Sequence, residues 1–204
     1  MNLSIIPNIL TCSRIAMTPI IAYLLSLGGE GLLLALFFFS CAALTDFYDG
    51  YLARRHNWPS AFGRFLDPLA DKILVLTVFA MFAVHNLCPF WTVWLLAGRD
   101  VVMTVLRIAL AQIGKPLVTS RLGKAKTAFQ FATIYAFFAV MIVRNYRCAM
   151  TMPYHYLTKS LEVLADACLW SMIGLTLISG GVYCYGAAKV FCRYWLRDRH
   201  NRVV

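Results

Sequence analysis

Hydrophobic residues fall in six long runs separated by short polar breaks. The first run, Ile5 to Leu27, starts with Pro7, Asn8, Thr11 and Arg14 and then turns fully apolar. Gly28-Gly29-Glu30-Gly31 reads as a turn. A second run covers about Leu32 to Leu52 and a third about Ala61 to Val84, with His56-Asn57-Trp58-Pro59-Ser60 between them. Pro59 cannot continue a helix, and Ser60 suits the cap of the next one. A fourth run covers Trp91 to Ile113, interrupted at Gly98-Arg99-Asp100. A basic loop, Gly114 to Gly123, leads to a fifth run over Lys124 to Val143. A polar connection from Arg144 to Lys159 leads to a sixth over Leu161 to Tyr185, followed by a basic amphipathic tail over about 189–204.

The runs are continuously apolar rather than alternating, which favours helices over barrel strands. A bilayer takes roughly 20 helical residues to cross. The expectation is an all-α polytopic membrane protein with six transmembrane helices, built as one domain over residues 1–204. Composition agrees: the chain is 61% hydrophobic and only 14% charged, with a mean hydropathy of +0.69. The start of the chain has no basic stretch and no small-residue cleavage site, so it reads as a retained first helix rather than a signal peptide.

The formal net charge is +10. It is unevenly spread. Six spans put Arg54, Arg55, Arg64, Lys115, Arg121, Lys124, Lys126, Arg193, Arg197, Arg199 and Arg202 on one side, and only Arg144, Arg147 and Lys159 on the other. Positive charge collects on the cytoplasmic face, so both termini and the polar end of the bundle are expected there, against anionic lipid headgroups. No separate basic domain exists to bind nucleic acid. The seven cysteines form no C-x-x-C pair, which argues against a zinc site or a disulfide framework. A bridge between Cys88 and Cys148 stays open, since both fall on the non-cytoplasmic side.

Four carboxylates stand out against this background. Asp46, Asp49, Gly50 and Ala53 are spaced i, i+3, i+4, i+7, one face of a helix. Gly63, Asp67 and Asp71 are spaced i, i+4, i+8, again one face. Joined by a short turn, the two faces would converge just inside the cytoplasmic surface, with Gly50, Gly63 and Ala53 leaving room for a bulky ligand. An acid inside a membrane costs about 2.5–3.5 kcal/mol on insertion scales. Arg54 and Arg64 cannot offset four acids and their repulsion. A pair of hard divalent cations, Mg²⁺ or Mn²⁺, can, with coordination positions left over for phosphate oxygens. A diphosphate substrate is the natural ligand of such a clamp. Lone acids such as Asp100 and Asp166 read equally well as helix–helix hydrogen bonds.

The whole pattern, D-x2-D-G-x2-A-R-x8-G-x3-D-x3-D from Asp46 to Asp71, resembles the signature of the CDP-alcohol phosphatidyltransferase family at every defined position. The resemblance implies a six-helix, usually dimeric membrane enzyme with a cytoplasm-facing cavity and a two-metal site. Asp46, Asp49, Asp67 and Asp71 would be metal ligands, with Asp71 also the general base for an acceptor hydroxyl that displaces CMP from a CDP-linked lipid. Gly50, Ala53, Arg54 and Gly63 would line the CDP pocket, joined by Asn8 and Thr11.

Ile6-Pro7-Asn8-Ile9-Leu10-Thr11, Asp67-Pro68-Leu69-Ala70-Asp71-Lys72 and Leu122-Gly123-Lys124-Ala125-Lys126-Thr127 look like segments of the bacterial phosphatidylglycerophosphate synthases of that family. These enzymes sit in the bacterial cell membrane, take CDP-diacylglycerol as donor and glycerol 3-phosphate as acceptor. A phosphate-bearing acceptor needs cations, and Arg99, Arg107, Arg121, Lys124 and Lys126 are the candidates. Arg121 and Lys126 read equally as ordinary loop cations. Gly98-Arg99-Asp100-Val101 and Gly114-Lys115-Pro116 look more like CMP-forming cardiolipin synthases, which use phosphatidylglycerol. Glycerol 3-phosphate is the first expectation because it explains Arg107, a cation in an apolar helix. An aspartate-rich prenyltransferase would spread two acidic clusters over more spans, and a cation carrier would string acids across the bilayer. Neither matches one cluster in two adjacent helices.

Overall fold

The computed structural model describes residues 6–56, 61–113, 121–146 and 153–203, with side chains at 12–45, 69–113, 123, 125–145 and 156–192. Six helices follow one another: α1 (Ile6–Leu27), α2 (Gly31–His56), α3 (Ala61–Val84), α4 (Phe90–Gln112), α5 (Arg121–Tyr146) and α6 (Pro153–Val203). No strand occurs among the described residues. The all-α expectation holds, and α3 begins and ends at the residues expected for the third run.

The turn before α2 is built as expected. Gly28 and Gly29 take positive φ values of 61° and 40°, a region closed to most side chains. The Gly28 amide donates to the Leu25 carbonyl and the Gly31 amide to the Gly28 carbonyl, so backbone amides help to close the end of α1. On the same end, a ring nitrogen of His85 lies 3.0 Å from the Leu25 carbonyl and ties the α3–α4 connection to α1. Pro59 and Ser60 lie outside the described residues, as does Cys148. Cys88 is buried and unbridged, its thiol directed at the Phe79 carbonyl. Burial pushes that thiol's pKa up.

Beside small shifts at the ends of α2 and the start of α5, three features differ from the sequence expectation. First, α4 runs through Gly98-Arg99-Asp100 without a break. The polar pair is satisfied sideways, by neighbouring helices, so the backbone need not open. Second, the polar connection after α5 is shorter than Arg144–Lys159: α5 continues to Tyr146 and α6 starts at Pro153. Arg144 reaches across to Glu162 at 2.9 Å, pairing the two helix ends, and a proline in the first helical position gives up no internal hydrogen bond. Third, α6 continues unbroken to Val203. The basic tail beyond Lys189 is a change of composition within one helix, not a separate element.

Packing follows the chain order only in part. α5 lies along α6, α1 packs on both α2 and α3, and α4 bridges α3 and α6. An aromatic cluster locks α2, α3 and α5 together. The Phe82 ring stands edge-on to Phe137 and Phe138, each at 5.3 Å, and Phe39 stacks at a tilt on Phe138 at 5.9 Å. All four rings are fully buried. The outer surface is apolar as well: Tyr23, Phe37, Trp94, Val105 and Ile178 are all more than half exposed. Two described stretches, Ala125–Asn145 and Tyr156–Cys192, are long and apolar enough to cross a membrane. The most apolar window of the second is only 28% buried, unlike the core helix of a water-soluble protein, which is mostly buried. Cys12–Leu27 and Gly31–Thr45 are shorter apolar stretches.

Candidate active site

A cavity of about 440 Å³ opens among α2, α3, α4, α5 and α6. Its wall carries four cations, Lys72, Arg99, Arg107 and Lys126, and two carboxylates, Asp71 and Asp100. Ala42, Val75, Leu76, Met103 and Phe131 make the rest largely apolar, and Gln130, Thr127 and Tyr183 add neutral polar groups.

Asp71 sits on the second half-turn after Pro68 in α3, with its side chain 40% exposed toward the cavity. From the other side Arg14 of α1 reaches it: the guanidinium, 1% exposed, makes a direct ion pair with Asp71 Oδ1. Arg14 stays in place because its own turn of α1 faces α3, and Thr18 donates to the Arg14 carbonyl one turn later.

The cations on α4 and α5 are held by Asp100. Its Oδ1 accepts from Arg99 Nη1 at 2.9 Å and from Lys126 Nζ at 3.1 Å. Arg99 Nη2 also donates to Ser179 Oγ on α6, at 3.3 Å. Lys72 Nζ donates to Thr104 Oγ1 at 2.7 Å, joining α3 to α4. Arg107 is exposed at the cavity mouth and makes no bond to a described residue. The Tyr183 hydroxyl lies near Gly123, 3.8 Å from where a Cβ would stand, an ordinary contact distance.

The residues expected from sequence therefore divide in two. Asp71, Arg99, Arg107 and Lys126 meet around one cavity. Asp46, Asp49, Gly50, Ala53 and Arg54 lie on helical backbone at the end of α2, and Gly63 and Asp67 on the first turns of α3. Asn8 and Thr11 are on α1, Arg121 and Lys124 on the start of α5. The side chains of these eleven lie outside the described set. Among the described residues no group of three or more acids, histidines or cysteines gathers around one point. The donor set of the aspartate motif is nonetheless all carboxylate, and Asp71, its one described member, faces the cavity. Hard oxygen donors of this kind fit a divalent cation. Sequence reasoning gave no role to Lys72 or Tyr183 in the cavity wall, read Asp100 as no more than a helix–helix hydrogen bond, and did not give the ion pair to Arg14. Arg14 showed as a charge inside an apolar run and as part of the opening that resembles the bacterial synthases, and neither signal names its partner.

The cavity thus sets two carboxylates and four cations in a largely apolar wall. The chain belongs to the CDP-alcohol phosphatidyltransferase family, whose model matches residues 4–177. It is similar to the CDP-diacylglycerol–glycerol-3-phosphate 3-phosphatidyltransferase of Bacillus subtilis (strain 168), 32% identical over 191 residues that cover 87% of this chain and 92% of that protein. The enzyme of the same name from Rickettsia bellii is 32% identical over 187 residues, 91% of this chain and 97% of that one. That of Pectobacterium atrosepticum is 37% identical over 139 residues, 64% and 75% of the two chains.

Proposed function

We propose that this chain transfers the phosphatidyl group of CDP-diacylglycerol to the hydroxyl of glycerol 3-phosphate, releasing CMP and forming phosphatidylglycerophosphate. The observation that carries the reading is that Asp71 lines a cavity together with Arg99, Arg107 and Lys126. An acid able to take a proton stands opposite cations able to hold a phosphate monoester. The relatives named above carry the same donor and acceptor in their names.

In this reading Asp71 receives the proton of the acceptor hydroxyl as its oxygen attacks the β-phosphorus of the donor. The bond from that phosphorus to the CMP oxygen breaks, and CMP carries the electron pair away. Arg14 holds the Asp71 carboxylate on the cavity wall. Arg99, Arg107, Arg121, Lys124 and Lys126 hold the acceptor phosphate, while Met103, Phe131 and Leu76 keep that side of the cavity apolar. Asp46, Asp49, Asp67 and Asp71 would hold two divalent ions, Mg²⁺ or Mn²⁺, which supply charge neutralisation and Lewis acidity at the diphosphate. Asn8, Thr11, Gly50, Ala53, Arg54 and Gly63 would seat the CDP moiety.

We place all six helices across a bacterial-type cell membrane, as one domain over residues 1–204 and in a homodimer, with both termini and the cavity mouth cytoplasmic. The apolar outer surface of the bundle and the one-sided distribution of Arg and Lys support that placement.

The test is CMP release by the purified protein, given CDP-diacylglycerol and Mg²⁺ in mixed micelles. Release with glycerol 3-phosphate is expected. Release only with phosphatidylglycerol would reassign the chain to the cardiolipin-forming reaction, and no release with any alcohol would remove the reading.

A further inference from the structure

Asp100 is the centre of a small charge network. One carboxylate oxygen takes a hydrogen bond from α4 and another from α5, through Arg99 Nη1 at 2.9 Å and Lys126 Nζ at 3.1 Å. Arg99 is pinned a second time by Ser179 of α6. Three helices thus meet at one anion, inside the cavity that also holds Asp71.

The network leaves donors over. The Lys126 side chain is only 5% exposed, yet its ammonium spends one of three N–H bonds, on Asp100. Arg99 Nε is buried and has no partner. Arg107, exposed, stands at the same wall and makes no bond to a described residue. Buried donors are nearly always satisfied, so a cluster of unspent ones marks the place of a missing acceptor. A phosphate monoester has three terminal oxygens and about two charges near neutral pH, which matches these donors in number and sign.

We propose that Asp100 is a positioning residue of the acceptor subsite. Its carboxylate draws the Arg99 and Lys126 head groups from two helices to one point of the wall, leaving Arg99 Nε and the other Lys126 donors for the phosphate of the acceptor. The proposal rests on the reading of the cavity given above. A strap that merely joins α4 to α5 would have no reason to leave buried donors unspent.

Asp100→Asn keeps the shape and removes the charge. Expected is a rise of about tenfold in KM for glycerol 3-phosphate, the size of one lost charge-assisted hydrogen bond, with KM for CDP-diacylglycerol held. Asp100→Glu should recover part of the loss. A second readout needs no turnover: glycerol 3-phosphate, or inorganic phosphate, should raise the melting temperature of the wild-type protein in detergent, and about tenfold more of it should be needed for the same shift in Asp100→Asn. Should Asp100→Asn fail to fold, Ser179→Ala frees one end of Arg99 and is expected to raise KM for the acceptor about threefold, a weaker neutral-donor loss. An unchanged acceptor KM, or equal losses with both substrates while the phosphate-induced stabilisation persists at the wild-type concentration, overturns the proposal. A wild-type protein that binds phosphate through Asp100 but releases no CMP leaves this subsite standing and removes the assigned reaction instead.

Discussion

Arg14 on α1 and Asp71 on α3, 57 positions apart in the chain, form a direct ion pair in which the arginine is fully buried and the aspartate looks into the cavity. A buried guanidinium needs an anion, and an acid at a cavity wall needs something behind it. Each solves the other's difficulty. Arg14→Ala should therefore act twice. It removes the anchor of Asp71, lowering CMP release, and it costs about 1.5–3 kcal/mol of stability as a lost hydrogen bond to a charged group. The low end is expected because Asp71 is 40% exposed and water screens the pair. Arg14→Lys keeps the charge but not the planar fork, so it should recover stability more than activity. Thermal unfolding in detergent beside the CMP assay separates the two effects.

Asp71→Asn is the sharper probe of chemistry. The amide is the same size and cannot take a proton from an incoming hydroxyl. Loss of a general base is worth about 10²- to 10⁴-fold in rate. The expected result is a kcat lowered by that order, with the helical circular dichroism unchanged. Full activity would exclude Asp71 as the base.

Arg107 makes no bond to a described residue, so its removal should cost the fold little. Arg107→Ala is expected to raise KM for glycerol 3-phosphate about tenfold or more, the loss of one ionic hydrogen bond, with KM for CDP-diacylglycerol near its original value. Its exposed position makes it the clearest of the cations to interpret, since Arg99 and Lys126 also tie helices together.

Much of this was legible in the chain because its signals are local. The 20-residue apolar runs give the helices, and Asp71, the described member of the aspartate motif, lines the cavity. Arg107 is visible as a charge without a local reason. What was not legible is long-range. Nothing in the neighbourhood of Arg14 points to Asp71, and nothing near Asp100 says that Lys126, 26 positions on, will share its oxygen. The apparent break at Gly98-Arg99-Asp100 misled for the same cause: two charges inside an apolar helix look like an interruption unless partners on α5 and α6 are known. The basic stretch after Lys189 was read as a tail because hydropathy falls there, but helix propensity does not follow hydropathy, and Arg and Lys continue a helix about as well as Leu does.

The aromatic cluster offers a prediction independent of function. Phe82 is fully buried and touches Phe79, Phe137 and Phe138, so it joins α3 to α5 at the centre of the bundle. Phe82→Ala leaves a cavity that three neighbouring rings cannot fill without leaving their edge-on contacts. Substitutions of this kind cost about 3–5 kcal/mol. Phe82→Leu restores most of the volume and should cost much less, since shape-conserving swaps in a core stay under about 1.5 kcal/mol. The site lies away from Asp71 and Asp100 on the opposite stretch of α3, so the CMP assay at low temperature should show near-normal KM values for both substrates. A large change in KM with little loss of melting temperature would mean that the cluster shapes the cavity rather than the core.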